Sequence, residues 1–86
     1  MEKDLGKKLE VAKKLERAAE LRMSAVRETE KAKGLQRVAQ KPEAADNKDS
    51  MLARAARFEA DGNHKLAQAV RLEAEVELML DVGKRR

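Results

Sequence analysis

Apolar residues fall three or four positions apart over most of this chain, in two long tracts divided by one short polar segment. In the first tract Leu5, Leu9, Ala12, Leu15, Ala19, Met23 and Val26 hold that spacing, the pattern of one face of an α-helix over about six turns. A second line, Val11, Ala18, Ala25, Ala32 and Ala39, recurs every seven residues on another side. In the second tract Met51, Ala55, Phe58, Gly62, Leu66, Ala69, Leu72, Val76 and Met79 step by three and four without losing phase. Ala53, Ala60, Ala67 and Ala74 follow every seven on the far side, joined by Leu78. The three-and-four series of each tract is read as its helix-packing face.

The punctuation predicts helices over about 4–40 and about 50–82, a loop over about 41–49 and a basic tail at 83–86. Asp4 is a plausible N-cap for the first helix. Leu35, Val38 and Ala39 carry the pattern past Gly34, and Pro42 stops it. Asn47, Asp49 or Ser50 is expected to cap the second helix. One break is ambiguous, Asp61-Gly62-Asn63. Both apolar lines pass through Gly62 in phase, which favours one continuous helix with glycine admitting a neighbouring backbone. The alternative ends a helix at Gly62, starts another at Asn63 and makes a three-helix bundle.

Two helices of roughly 50 Å each, joined by a short segment, predict an antiparallel hairpin. Residues whose numbers sum to about 90 then face each other, which sets Lys8 near Asp81, Lys13 near Glu77 and Lys14 near Glu75. Apolar lines on two sides of each helix leave one hairpin unable to cover itself. The expected fold is therefore all-α, an antiparallel two-helix hairpin self-associating into a four-helix bundle as a homodimer. The seven-residue alanine lines have two readings: close helix approach, or simple helix propensity on a solvated face.

Composition sharpens this picture. Of the 86 residues 42% are hydrophobic, but 15 are Ala, and Ile, Trp and Tyr are absent. So few bulky side chains make a thin core, which calls for area from a partner. The abundance of Ala, Glu, Lys, Leu and Arg is that of long helices or coiled coil. Cysteine is absent, which excludes disulfides and thiolate metal sites. No apolar run reaches the roughly 18 residues of a membrane span, and the first residues lack a signal-peptide core. The expectation is a cytoplasmic chain with no membrane partner.

Charge is uneven. Residues 1–42 carry 12 Lys/Arg against 7 Asp/Glu, and residues 43–86 carry 8 against 9. Lys7, Lys8, Lys13 and Lys14 with the tail Lys84, Arg85 and Arg86 would gather at one end of a hairpin, a candidate nucleic-acid contact. Glu10, Glu16, Glu75, Glu77 and Asp81 share that end, and no aromatic is there to stack on bases. Nucleic acid is thus a partner considered but not favoured.

Catalytic chemistry finds little support. His64 is the only imidazole, has no acidic residue four positions away, and reads as solvent-facing. Glu73, Glu75 and Glu77 diverge around a helix and read as a solvated face. No Glu-x-x-His pair, phosphate loop or nucleophile constellation occurs. Catalytic, metal and cofactor sites are expected to be absent, and the chain is read as not an enzyme.

Ala55, Phe58, Gly62, Ala67 and Ala74 have the small, aromatic, glycine, small, small spacing that resembles a tetratricopeptide-like hairpin, and microtubule-interacting-and-trafficking domains are similar there. The resemblance covers about 20 residues, while Arg54 and Arg71 stand where that pattern has large apolar or aromatic residues. It implies a three-helix domain that holds a partner peptide in a helical groove. The leading expectation is a structural, oligomerising or protein-interaction bundle. The runner-up is a small basic regulator that binds nucleic acid or a nucleic-acid-bound machine. A third reading is an artificial bundle with no biological role, though Gly34, Asp61-Gly62-Asn63, Thr29 and the four Met are less regular than idealised designs.

Overall fold

In the computed structural model, which describes residues 2–84, the chain forms two long helices and one short connection. Helix α1 spans Glu2–Ala39 and α2 spans Lys48–Lys84. They pack antiparallel as a hairpin, and the described residues contain no strand. Between them Pro42–Asn47 is a 3-10 turn rather than the open loop expected over 41–49. Lys41 is extended, at φ −76° and ψ 143°, as a residue before proline must be. Pro42 then fits the first turn, where its missing N–H costs nothing. Lys41 N donates to Val38 O at 3.0 Å and Gln40 N to Arg37 O at 3.2 Å, closing the end of α1. Ala44 is buried beneath the helix ends.

Of the expected caps, Asn47 alone stands immediately before a helix. Helix α1 begins at Glu2, so Asp4 lies inside it. Helix α2 begins at Lys48, so Asp49 and Ser50 sit in its first turn. There Asp49 places a carboxylate at the positive helix end. Gly62 has no positive φ, and α2 runs through it unbroken. The three-helix alternative, with the groove implied by the tetratricopeptide-like spacing, is not the fold.

Of the three expected facing pairs, Lys14 with Glu75 forms, whereas Lys13 makes no ion pair with Glu77 among the described residues. Lys14 meets Glu75, Lys65 meets Ser24 and Lys31 lies over Phe58, and each pair's numbers add to within one of the expected sum. The face of α1 does not hold. Its buried residues are Ala18, Leu21, Ala25, Ala32 and Ala39, so the seven-residue alanine line forms the seam. Leu5, Leu9, Leu15, Ala19, Met23 and Val26, expected to pack, are exposed in the hairpin. The face of α2 was placed correctly. Ala55, Gly62, Ala69 and Val76 are buried, while Met51, Phe58, Leu72 and Met79 are half-buried beside them; Leu66 alone falls outside.

Side-chain volume explains this choice. Small residues every seven positions on α2 meet a small line on α1, which lets the backbones come close. A Cβ built on Gly62 would stand 3.2 Å from Ala25 O and 3.3 Å from Thr29 Oγ1. The leucine line of α1 would have held the helices further apart. The seam is close but carries little volume: seven of its nine buried apolar residues are alanine, and Leu21 and Val76 are the others. The hairpin measures 64 × 18 × 13 Å, a single layer about one helix thick.

Four substitutions test the seam. Leu21→Ala is expected to cost about 2 kcal/mol or more, because Leu21 is the largest buried side chain. Gly34 faces open space, so Gly34→Ala is expected to gain up to roughly 1 kcal/mol of helix propensity. Gly62→Ala is expected to fall clearly short of that gain, and Gly62→Asn to be lower still. Urea titrations of the variants check the order, and an equal gain at both glycines would contradict the close approach.

Candidate interaction surface

The seam divides the hairpin surface into two flanks of different chemistry. Residues seven apart share one side of a helix. On one flank α1 presents the lines Leu5, Ala12, Ala19, Val26 and Leu15, Arg22, Thr29. On the same flank α2 presents Leu52, Glu59, Leu66, Glu73, Leu80 and Ala56, Asn63, Val70. Two observations place these lines together. The Arg22 guanidinium bonds Glu73, with Nε donating to Oε2 at 3.0 Å. Arg22, Val26, Thr29, Asn63 and Leu66 also line one shallow groove over Gly62. The large apolar members of this flank are open to solvent, from Leu52 at 38% exposed to Leu5 at 63%. Leu9 and Met23 lie at its outer edge on α1.

The opposite flank is more polar, although Val38 and Leu78 are exposed on it. Arg17, Leu21, Gln68, Arg71 and Leu72 line a groove there. Lys14 Nζ donates to Glu75 Oε2 at 2.7 Å, and Arg17 lies 3.5 Å from Glu20. The Glu75 hydrogen bond holds the Lys14 ammonium above its ordinary pKa, against the partial cost of leaving water. On the apolar flank the Arg22 hydrogen bonds hold the Glu73 carboxyl below the ordinary carboxylate value. Ionisation of Glu73 therefore favours the folded state above its ordinary pKa of 4.5, and that contribution is lost as pH falls through the lower folded value.

Midway along the seam is a polar layer. Lys65 Nζ donates to Ser24 Oγ at 2.8 Å and lies 3.1 Å from Asp61 and 3.8 Å from Glu28. The Glu28 side chain is only 14% exposed. Beside it Thr29 Oγ1 donates to Ala25 O at 2.9 Å, and Lys31 stands 5.5 Å from the Phe58 ring centre. Lys14 was expected to face Glu75, whereas Glu28 and Lys65 were not expected in the seam. Their signal is positional: Lys14, Leu21, Glu28 and Leu35 form one seven-residue line, and Phe58, Lys65 and Leu72 another.

The basic residues expected to gather do not form one patch. Lys7 and Lys14 fall on the seam line with Leu21, Lys8 lies toward the apolar flank and Lys13 toward the polar one. Lys14 is engaged by Glu75. Lys84 ends α2, and Arg85 and Arg86 lie outside the described residues. His64 is exposed, and among the described residues no three His, Cys, Asp or Glu converge as metal ligands. No helix among them is long and apolar enough to cross a membrane. No known protein family matches the chain, and neither does any curated protein or solved structure.

The polar layer gives a double-mutant test. Lys65→Leu alone leaves the mostly covered Glu28 carboxylate with Lys31, 3.9 Å away, as its remaining ion pair, and is expected to destabilise the fold. Glu28→Leu combined with Lys65→Leu fills the same space with apolar volume and is expected to be at least as stable as the parent. Urea midpoints of the parent, both single variants and the double variant check this; a double variant less stable than Lys65→Leu would contradict it.

Proposed function

We propose that the chain is a self-associating helical hairpin, an oligomerisation or protein-interaction element without catalytic activity. One observation carries this reading: a hairpin one helix thick turns most of its large apolar residues outward on one flank, with Val38 and Leu78 on the other. A stable domain needs two packed layers around a core. A second copy supplies the missing layer, since its flank is identical and self-complementary under a two-fold axis. The product is a homodimeric four-helix bundle with coiled-coil-like packing, in which each helix meets its own hairpin partner through small residues and the other copy through large ones.

A second reading has one observation in its favour. Lys13, Arg27, Arg57 and Arg71 fall on the polar flank and make no ion pair among the described residues. Such cations suit a nucleic-acid backbone or an acidic protein surface. This flank stays outward in the proposed dimer, so the two readings are compatible. Duplex binding would weaken steeply with salt.

If folding and assembly are linked, the urea midpoint is expected to rise with protein concentration. Leu66→Glu, placing a charge in the apolar flank, is expected to lower the midpoint most at high concentration. A midpoint independent of concentration, at full helicity, would contradict self-association.

A further inference from the structure

We infer that the second copy docks on the apolar flank with both 3-10 turns at the same end of the bundle, so that α1 of one copy lies against α2 of the other. The inference rests on the self-association proposed above and adds the arrangement. Area comes first. The hairpin exposes 7043 Å², against about 5,100 Å² for a compact protein of its 9.6 kDa mass. The excess is larger than the roughly 800 Å² each partner buries in a stable complex, so the flank has the area that a second copy needs.

The distribution of apolar groups sets the direction. On the flank, Leu5, Leu15 and Val26 of α1 and Leu66, Val70 and Leu80 of α2 all lie from the level of Gly62 toward the end away from the turn. Leu52 is the one large apolar residue of the flank nearer the turn. The remainder of that end is the small Ala56 with the polar Thr29, Lys33, Gln36, Glu59 and Asn63. Two hairpins with their turns together superimpose the apolar ends on each other and the polar ends on each other. The register of the hairpin then repeats between copies. Val26 stands at the level of Leu66 of the second copy, Ala19 at that of its Val70, and the exposed Lys33 at that of its Glu59. Inverting one copy at full overlap sets the apolar end of each hairpin against the polar end of the other. Sliding the inverted copies until the apolar ends meet leaves both turn ends uncovered. Only the arrangement with the turns together matches the flank along its whole length.

The test uses the absence of cysteine in the chain. A single cysteine replaces Ala45, which is exposed in the turn, and carries a spin label. Asp46→Cys, also exposed, is the second variant. Pulsed dipolar spectroscopy then reads the distance between the two labels of a dimer. With the turns together, helices packed 8–10 Å apart place the labels about 20–30 Å from each other. With one copy inverted, the separation approaches or exceeds the 64 Å length of the hairpin. A short distance from both sites in a particle of dimer mass supports the inference. A long distance in such a particle overturns the arrangement and leaves self-association standing. Monomer mass with no dipolar signal overturns both, and a particle larger than a dimer overturns the two-hairpin bundle.

Discussion

The close approach of two backbones along a seam of small residues governs the rest of this structure. Where Gly62 passes Ala25, even a methyl group would press on a carbonyl oxygen 3.2 Å away. That contact selects the alanine line of α1 for the interior, although it carries less apolar volume than the leucine line beside it. Close packing recovers dispersion contacts, but alanines bury little area. A hairpin sealed this way has a well-defined geometry and a small hydrophobic driving force. Its leucines, valines and methionines are left on the outside, where they are available to a second surface.

The charged groups define the geometry rather than supply most of its stability. Exposed pairs such as Arg17 with Glu20 are worth about 0–1 kcal/mol each. Lys14 with Glu75 and Arg22 with Glu73 tie opposite flanks of the hairpin at neighbouring levels and so fix its register. Lys65 goes further, since it occupies a seam position where an apolar residue would pack. A polar group at such a position costs stability and specifies alignment. In a seam of nearly uniform alanines, sliding by one heptad would otherwise change little. The mostly covered Glu28 meets Lys65 across the seam at 3.8 Å, a contact that depends on the register.

The helices, the hairpin and its register were legible because they depend on periodicity and phase. The unbroken phase through Gly62 was enough to argue a continuous α2, and the face Met51 to Val76 was visible because its large and small residues alternate on one line. The expected face of α1 lies outside the hairpin seam for a physical reason. Leucine outweighs alanine when apolar residues are counted, whereas a close seam selects for small size. Glu28 and Lys65 escaped notice because a charge interrupts an apolar line, although their seven-residue spacing placed them on it. The polar and apolar flanks became distinct only once the seam was known, since the seam decides which side of each helix shares a surface with the other.

The central claim is that the hairpin is one layer of a two-layer particle. Sedimentation equilibrium over low to high micromolar concentration tests it most directly. The account predicts a mass that approaches twice 9.6 kDa as concentration rises, with helicity maintained or increasing. A fully helical particle of 9.6 kDa at every concentration would contradict it.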